Sequence, residues 1–295
     1  MVMDTKKIQA LIALLDDPSE EIFSVVEGEL LKEPVDIVPE LEKAWESSLN
    51  TIFQERLENI IHHIQFQDIH NALERWVAEG GKDLLFGAYL VSKYQYPELS
   101  YVTITKRISE LQRAIWMELN EHLTSLEKVR IINHILFDVN KFTRNNSQFL
   151  APQNNYISDV LENQKGNPVT LSIIYSVLCQ RLGLPVYGVN LPKNFILVFM
   201  DNLTDNDEEN LSREATPLFY INPINKGAVL GRREIEYFIK QQKLQPSESF
   251  FLPCSNQEAI KRLITNLRFA YENIGLEEKS KDIQSLLDIF KAIKK

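Results

Sequence analysis

Cysteine is scarce: Cys179 and Cys254 are the only two in 295 residues. No segment reads as a secretory signal, so the pair is expected to be reduced and structural and not the remnant of a disulfide framework. The N-terminus, MVMDTKKIQALIALLDD, places acidic residues and Pro18 where a signal peptide has small cleavage-site residues, and reads as the first helix of a cytoplasmic protein. Long apolar runs are lacking too. The most hydrophobic stretch, Pro168 to Met200, is interrupted by Arg181, Gly183, Pro185, Gly188, Pro192 and Lys193, short of the ~20 uninterrupted residues that a membrane helix needs. Positive charge is in deficit, with 32 Lys and Arg against 41 Asp and Glu and a net charge of −9. Such a field repels phosphate backbones, which excludes nucleic acid as the main partner.

Familiar chemical signatures are missing as well. GxGxxG, GxxxxGK[ST], HExxH and GxSxG do not occur. HHIQFQDIH offers His62, His63 and His70, but His63 and His70 lie two turns apart on a continuous helix, ~10.5 Å along the axis, too far to share an ion. His122 and His134 stand alone on helical patterns. No metal site and no cofactor are expected.

What is present is mainly helical. Before residue 160 glycine occurs only at Gly28, Gly80, Gly81 and Gly87, and apolar residues recur at helical spacing. Asp17 is positioned to cap a helix opened by Pro18, with Glu20 and Glu21 in its first turn and Ile22, Val25, Val26 and Leu30 as its stripe. Sliding the chain by 30 or 31 positions aligns Ile22-Phe23 with Ile52-Phe53, Leu30-Leu31 with Ile60-Ile61, Val38 with Ile69 and Trp45 with Trp76. Two stacked helical hairpins or an irregular bundle both fit this match. The segment LIALLDDPSEEIFSVVEGELLKEPVDIVPELEKAW also resembles a HEAT repeat, with a period below the ~40 to 47 residues of that class.

The character changes at RNNSQFLAPQNNY, which is polar, turn-rich and aperiodic and predicts a surface loop. A helix follows over about Val169 to Leu182, then β-type runs PVYGVNL, NFILVFM and LFYINP, with the acidic insert DNLTDNDEENLSREATP expected as an exposed hairpin loop. Helical spacing returns beyond Pro253. The expected fold is α+β and mostly helical: helical hairpins over 1–120, a core with a small antiparallel sheet over 121–245, and a C-terminal helical hairpin over 246–295.

The segment GNPVTLSIIYSVLCQRLGLPVYGVNLPKNFILVF, followed by YINPINKG, resembles the transglutaminase-like superfamily with its papain-like core, and most closely its SirB-type bacterial branch. In the superfamily a Gly-x-Cys opens a helix ending in Leu-Gly-Ile-Pro, one strand carries His and the next carries Asp before Pro. The branch reads Gly-x-Pro, Pro-Gly-His-Phe and Asp-Pro at those sites. The resemblance covers about residues 82–272, including LLFGAYLVSKYQYPEL and RLITNLRFAY. It implies that the Cys, His and Asp positions fall on Pro168, Asn194 and Asn222, with Asn167 and Thr170 as cleft neighbours.

Thiol chemistry of this kind needs a helix-end thiolate, an imidazole and an orienting carboxylate. Pro168 has no nucleophile, Asn194 does not titrate and Asn222 carries no charge. Cys179 lies eleven residues into the same helix, about 16 Å along its axis, and is expected to be a buried structural residue. These substitutions predict a non-catalytic module that binds a protein or peptide, acting as a scaffold or regulator. The alternative is an active cysteine-type hydrolase or acyltransferase with a relocated nucleophile.

Overall fold

Apolar residues at spacings of three and four govern most of the chain, and helices follow them. The computed structural model describes residues 5–201 and 216–292. Within these, helices are α1 (Thr5–Leu14), α2 (Glu20–Leu30), α3 (Val38–Ser47), α4 (Thr51–Ala78), α5 (Leu84–Lys93), α6 (Tyr101–Trp116), α7 (Ser125–Asn133), α8 (Ile157–Asn163), α9 (Pro168–Arg181), α10 (Arg232–Gln241), α11 (Asn256–Asn273) and α12 (Glu277–Ala292). Strands are β1 (Thr143–Arg144), β2 (Lys165–Gly166), β3 (Val186–Val189), β4 (Ile196–Asp201), β5 (Thr216–Asn222) and β6 (Ala228–Leu230). Most of the acidic insert between β4 and β5, with its expected hairpin loop, lies outside the described residues.

The chain gathers into two compact units, one up to Arg75 and one from Trp76 onward. In the first, Ile8 and Ile12 of α1, Leu30 of α2, Leu41 of α3 and Leu57 and Ile60 of α4 are buried in one core. Arg56 braces it, donating to the carbonyls of Leu15 at 2.8 Å and Asp17 at 2.9 Å, with its guanidinium 4.3 Å from the centre of the Phe23 ring. Helix α2 begins later than its sequence suggests. Ser19 occupies the N-cap, while Asp17 accepts from the Ser19 N–H at 2.8 Å and shapes the turn before it.

The second copy of the internal repeat is not a hairpin. Residues 51–78 form one 28-residue helix. Pro34 breaks the first copy, and no proline or glycine occupies the equivalent stretch around His63 to Gln65, so nothing interrupts the hydrogen-bond ladder. The match therefore pairs a broken helical stretch with a single helix and not two equivalent hairpins.

In the second unit, α9 is the central element. Every residue from Val169 to Cys179 is buried, because α5, α6, α8 and α11 pack around it and β3 and β4 cover a further side. A helix buried all round needs apolar residues all round, and VTLSIIYSVLC supplies them with only small hydroxyls between. The four-stranded sheet is antiparallel throughout, in order β3-β4-β5-β6. Along β4 the side chains alternate: Ile196, Val198 and Met200 join a core with Ile235 and Ile239 of α10 and Phe251. Leu197 and Phe199 lie on the opposite face, towards α9. Helices α11 and α12 pair across a turn at Gly275 with φ of +76°. Helix α11 also packs on α5 and α9, so the C-terminal hairpin shares the core of this unit.

Candidate functional site

The start of α9 is set by three residues. Gly166 ends β2, Asn167 takes the N-cap with extended backbone, and Pro168 opens the helix, where a missing N–H costs nothing and a fixed φ suits the first turn. The Asn167 Oδ1 accepts from the N–H groups of Val169 at 2.9 Å and Thr170 at 3.0 Å, and the Asn167 carbonyl accepts from Leu171 at 3.1 Å. All the donors of the first turn are therefore used internally. The thiolate-stabilising or oxyanion-binding capacity that a bare helix start possesses is consumed by its cap.

An asparagine network extends from this cap into the preceding loop. Asn167 Nδ2 donates to Asn155 Oδ1 at 2.6 Å, and Thr170 Oγ1 donates to the Asn154 carbonyl at 2.7 Å. Asn154 Nδ2 in turn donates to the carbonyl of Gln148 at 2.6 Å, and its Oδ1 accepts from Asn145 Nδ2 at 2.9 Å. Asn154, Asn155, Asn167 and Thr170 are all buried. The stretch RNNSQFLAPQNNY is thus a surface loop only in part: Asn154 and Asn155 turn inward because the start of α9 offers them partners, while Asn146, Phe149 and Leu150 stay exposed.

Asn194 arrives from the other side. The turn before β4 passes through Lys193 at φ +63°, the Asn194 N–H donates to the Leu191 carbonyl at 3.0 Å, and its Oδ1 accepts from the Phe195 N–H at 2.9 Å. Phe195 packs against Gly188, where an added Cβ would sit 2.8 Å from the ring.

These elements enclose a pocket of about 210 Å³. Asn155, Asn167, Pro168 and Asn194 line it together, with Phe149 and Leu150 from the loop. The opposite wall is α11, through Arg262, Asn266, Phe269 and Ala270. Two expected residues lie elsewhere. Thr170 is fully buried with its hydroxyl bonded to the loop. Asn222 is half-buried at the end of β5, where its carbonyl accepts from the Gly227 N–H at 3.0 Å. It is not part of the pocket lining, and its Oδ1 is buried without a hydrogen-bond partner among the described residues.

The residues of α11 were not anticipated from sequence. Arg262, Asn266 and Phe269 follow the i, i+4, i+7 spacing of one helix face, beside the buried stripe of Ile260, Leu263, Ile264 and Leu267. That spacing is the signal that marks them as neighbours, though it does not say what they face.

Neither thiol lines this pocket. Cys179 is fully buried, and desolvation holds its pKa well above the ordinary thiol value. Cys254, half-buried with its N–H bonded to the Gly188 carbonyl at 2.8 Å, is pushed up to about 12, chiefly by burial and secondarily by the Glu258 carboxylate. Among the described residues no group of three His, Cys, Asp or Glu side chains is arranged to hold a metal ion, and no helix is long and apolar enough to cross a membrane.

Comparison with known proteins gives one family. A family model described as the transglutaminase-like superfamily matches residues 103–265. F-box only protein 21 of Mus musculus is 25% identical over 162 residues, covering 55% of this chain and 25% of that protein. A UPF0162 protein of Xylella fastidiosa is 30% identical over 117 residues, 39% of this chain and 41% of that protein. A UPF0162 protein of Vibrio cholerae is 21% identical over 165 residues, 55% of each. The chain thus spans a quarter to about half of the length of these relatives. No solved structure matches it.

Proposed function

We propose a non-catalytic binding role for this chain, which belongs to the transglutaminase-like superfamily: the cleft at the start of α9 serves to recognise a protein or peptide. One observation carries the reading. The pocket is open and its lining contains no Cys, His, Asp or Glu, with Pro168 and Asn194, the residues to which the resemblance assigns the thiol and imidazole positions, both in its wall.

Three further features support it. The N-cap Asn167 takes up the backbone donors that would stabilise a thiolate or an oxyanion. Both cysteines are buried to a degree that raises their pKa, which suppresses nucleophilicity. The third triad position, Asn222, offers an uncharged amide and lies off the pocket. A hydrolase or acyltransferase with a relocated nucleophile would need Cys179 or Cys254 to reach a substrate, and their burial opposes it. Two free thiols fit a reducing, cytoplasmic setting, and a net charge of −9 disfavours nucleic acid.

The test is affinity capture from the source cell's lysate on the native chain and on Pro168→Trp, whose indole fills the pocket. Proteins held by the native chain and lost on the variant support the reading. An identical set on both, or rapid labelling of Cys179 or Cys254 by a thiol reagent in the folded protein, overturns it.

A further inference from the structure

Resting on that binding reading, we infer that the group the pocket selects is a carboxylate with an apolar side chain next to it, presented by the end of a peptide chain or by an acidic side chain. The two cationic side chains in the lining have no carboxylate beside them in the pocket wall. Arg262 is half-buried on α11, and its one hydrogen bond is a long one, Nη1 to Asn190 Oδ1 at 3.4 Å. It forms no ion pair among the described residues. Burial lowers its pKa, the signature of a charge desolvated without compensation. A guanidinium stays ionised under any ordinary condition, so the deficit is met by an incoming anion and not by losing the proton. Lys193, exposed at the edge, donates to the neutral Gln242 Oε1 at 3.3 Å and forms no ion pair among the described residues, so it adds positive charge at the mouth.

The amides point the same way. Asn194 spends its oxygen on the Phe195 N–H, and its Nδ2 has no partner among the described residues. The Asn266 side chain likewise makes no hydrogen bond there. Two cations and two unbonded amide NH2 groups, with no Asp or Glu in the lining, form a surface rich in donors and without an anionic acceptor. The contrast with a chain carrying 41 acidic residues is local and specific. The helix start plays no part in this preference, because its N–H groups are already bonded. A planar guanidinium fork matches a carboxylate in two parallel hydrogen bonds.

Size and the apolar rim complete the description. About 210 Å³ is below the ~300–1,000 Å³ of pockets that engulf a whole drug-sized ligand, so the pocket takes one end or one side chain of a longer molecule. Phe149, Leu150 and Phe269 remain 42%, 43% and 53% exposed at its edge, where an apolar neighbour of the carboxylate would cover them.

The experiment passes three pools of random heptapeptides over the immobilised full chain. One pool ends in a free carboxylate without Asp or Glu, one ends in an amide without Asp or Glu, and one ends in an amide but contains both. Retention of the first pool over the second assigns a chain-end carboxylate. Retention of the third alone assigns an acidic side chain, and both outcomes support the inference. Retained members should be enriched in apolar residues beside the carboxylate, and Arg262→Met should weaken them about tenfold or more, the size of one lost charge-assisted hydrogen bond. Arg262→Lys should restore part of that loss. Because Arg262 has no anionic partner in the free protein, Arg262→Met should melt no lower than the native chain. If the acid-free amide pool is retained as well as the others and lost on Pro168→Trp, the carboxylate preference is wrong and the binding reading stands. If none of the pools is retained, the binding reading fails and the inference with it.

Discussion

The two ends of α9 are built on opposite principles. At its start, polar side chains carry the structure: Asn167, Thr170, Asn154 and Asn155 satisfy one another and the backbone, and the surface they create is open and lined by donors. From Ile173 to Cys179 the helix is sunk among apolar neighbours, and its few polar groups are tied down locally: Ser176 donates to the Val186 carbonyl at 2.8 Å and accepts from Gln180 at 2.9 Å, and Tyr175 donates to Asn133 at 2.9 Å. The accessible end has no reactive group and the end with a thiol has no access. Thiol chemistry needs a nucleophile, a base and an approach path in one place, and along α9 the open pocket and Cys179 lie at opposite ends.

Moving the thiol from one end to the other breaks the comparison most sharply. Pro168→Cys should be alkylated in the folded protein at least about a hundredfold faster than Cys179, whose labelling awaits local opening of several kcal/mol. Asn167 leaves no backbone donor to stabilise a thiolate there, so any lowering of its pKa should come from Arg262 and Lys193 in the same lining and should be lost when Arg262→Met is added. Rates measured by mass spectrometry against pH check both parts, and a depressed pKa at position 168 that survives Arg262→Met would count against the account.

The polar end should be the costlier one to disrupt. Asn167→Ala removes the cap of α9 and leaves the Asn155 and Thr170 partners short, a loss of about 3 kcal/mol when a cap and a buried hydrogen bond go together. Denaturant unfolding measures it, and a loss below about 1 kcal/mol would mean that water replaces the network freely.

At the apolar end the sensitive point is Gly227. Its φ is +71° and an added Cβ would fall 1.9 Å from Asn133 Oδ1, the atom that accepts from Tyr175. Asn133 also donates to the Gly227 carbonyl at 2.8 Å. Gly227→Ala should therefore cost about 2 kcal/mol through strain and a displaced hydrogen bond, without altering peptide retention, since neither Gly227 nor Asn133 lines the pocket. A thermal melt and the peptide-pool assay together separate these effects.

The smallest change belongs to the rim. Phe269→Ala touches a side chain that is already half-exposed, so stability should move by less than about 0.5 kcal/mol, while retention of peptides with apolar neighbours should fall.

Sequence spacing already marked α9 and the β-type runs after it, because GNP, LGLP and PKNF each have local backbone consequences: a cap, a helix end and a turn; that Pro168 and Asn194 share a cleft was implied by the resemblance, and both line the pocket. It did not reveal the inward asparagines, since Asn145, Asn154 and Asn155 have the same composition whether they meet water or one another. Neither did it show that Arg262 and Asn266 face the pocket, because the direction of a helix face is set by what packs on the others. Asn222 illustrates the limit of counting along a strand. Its position beside β4 follows from the Leu197 and Ile221 register, but the pocket wall opposite Pro168 is supplied by α11 and not by β5.

The central claim is that this cleft binds without reacting. A retained peptide, incubated at stoichiometric ratio with the native chain and followed by intact-mass spectrometry of both components, tests it most directly. The account predicts that the peptide is recovered unchanged and that the protein gains no covalent mass. A cleaved or rearranged peptide, or an acyl adduct on Cys179 or Cys254, would contradict it.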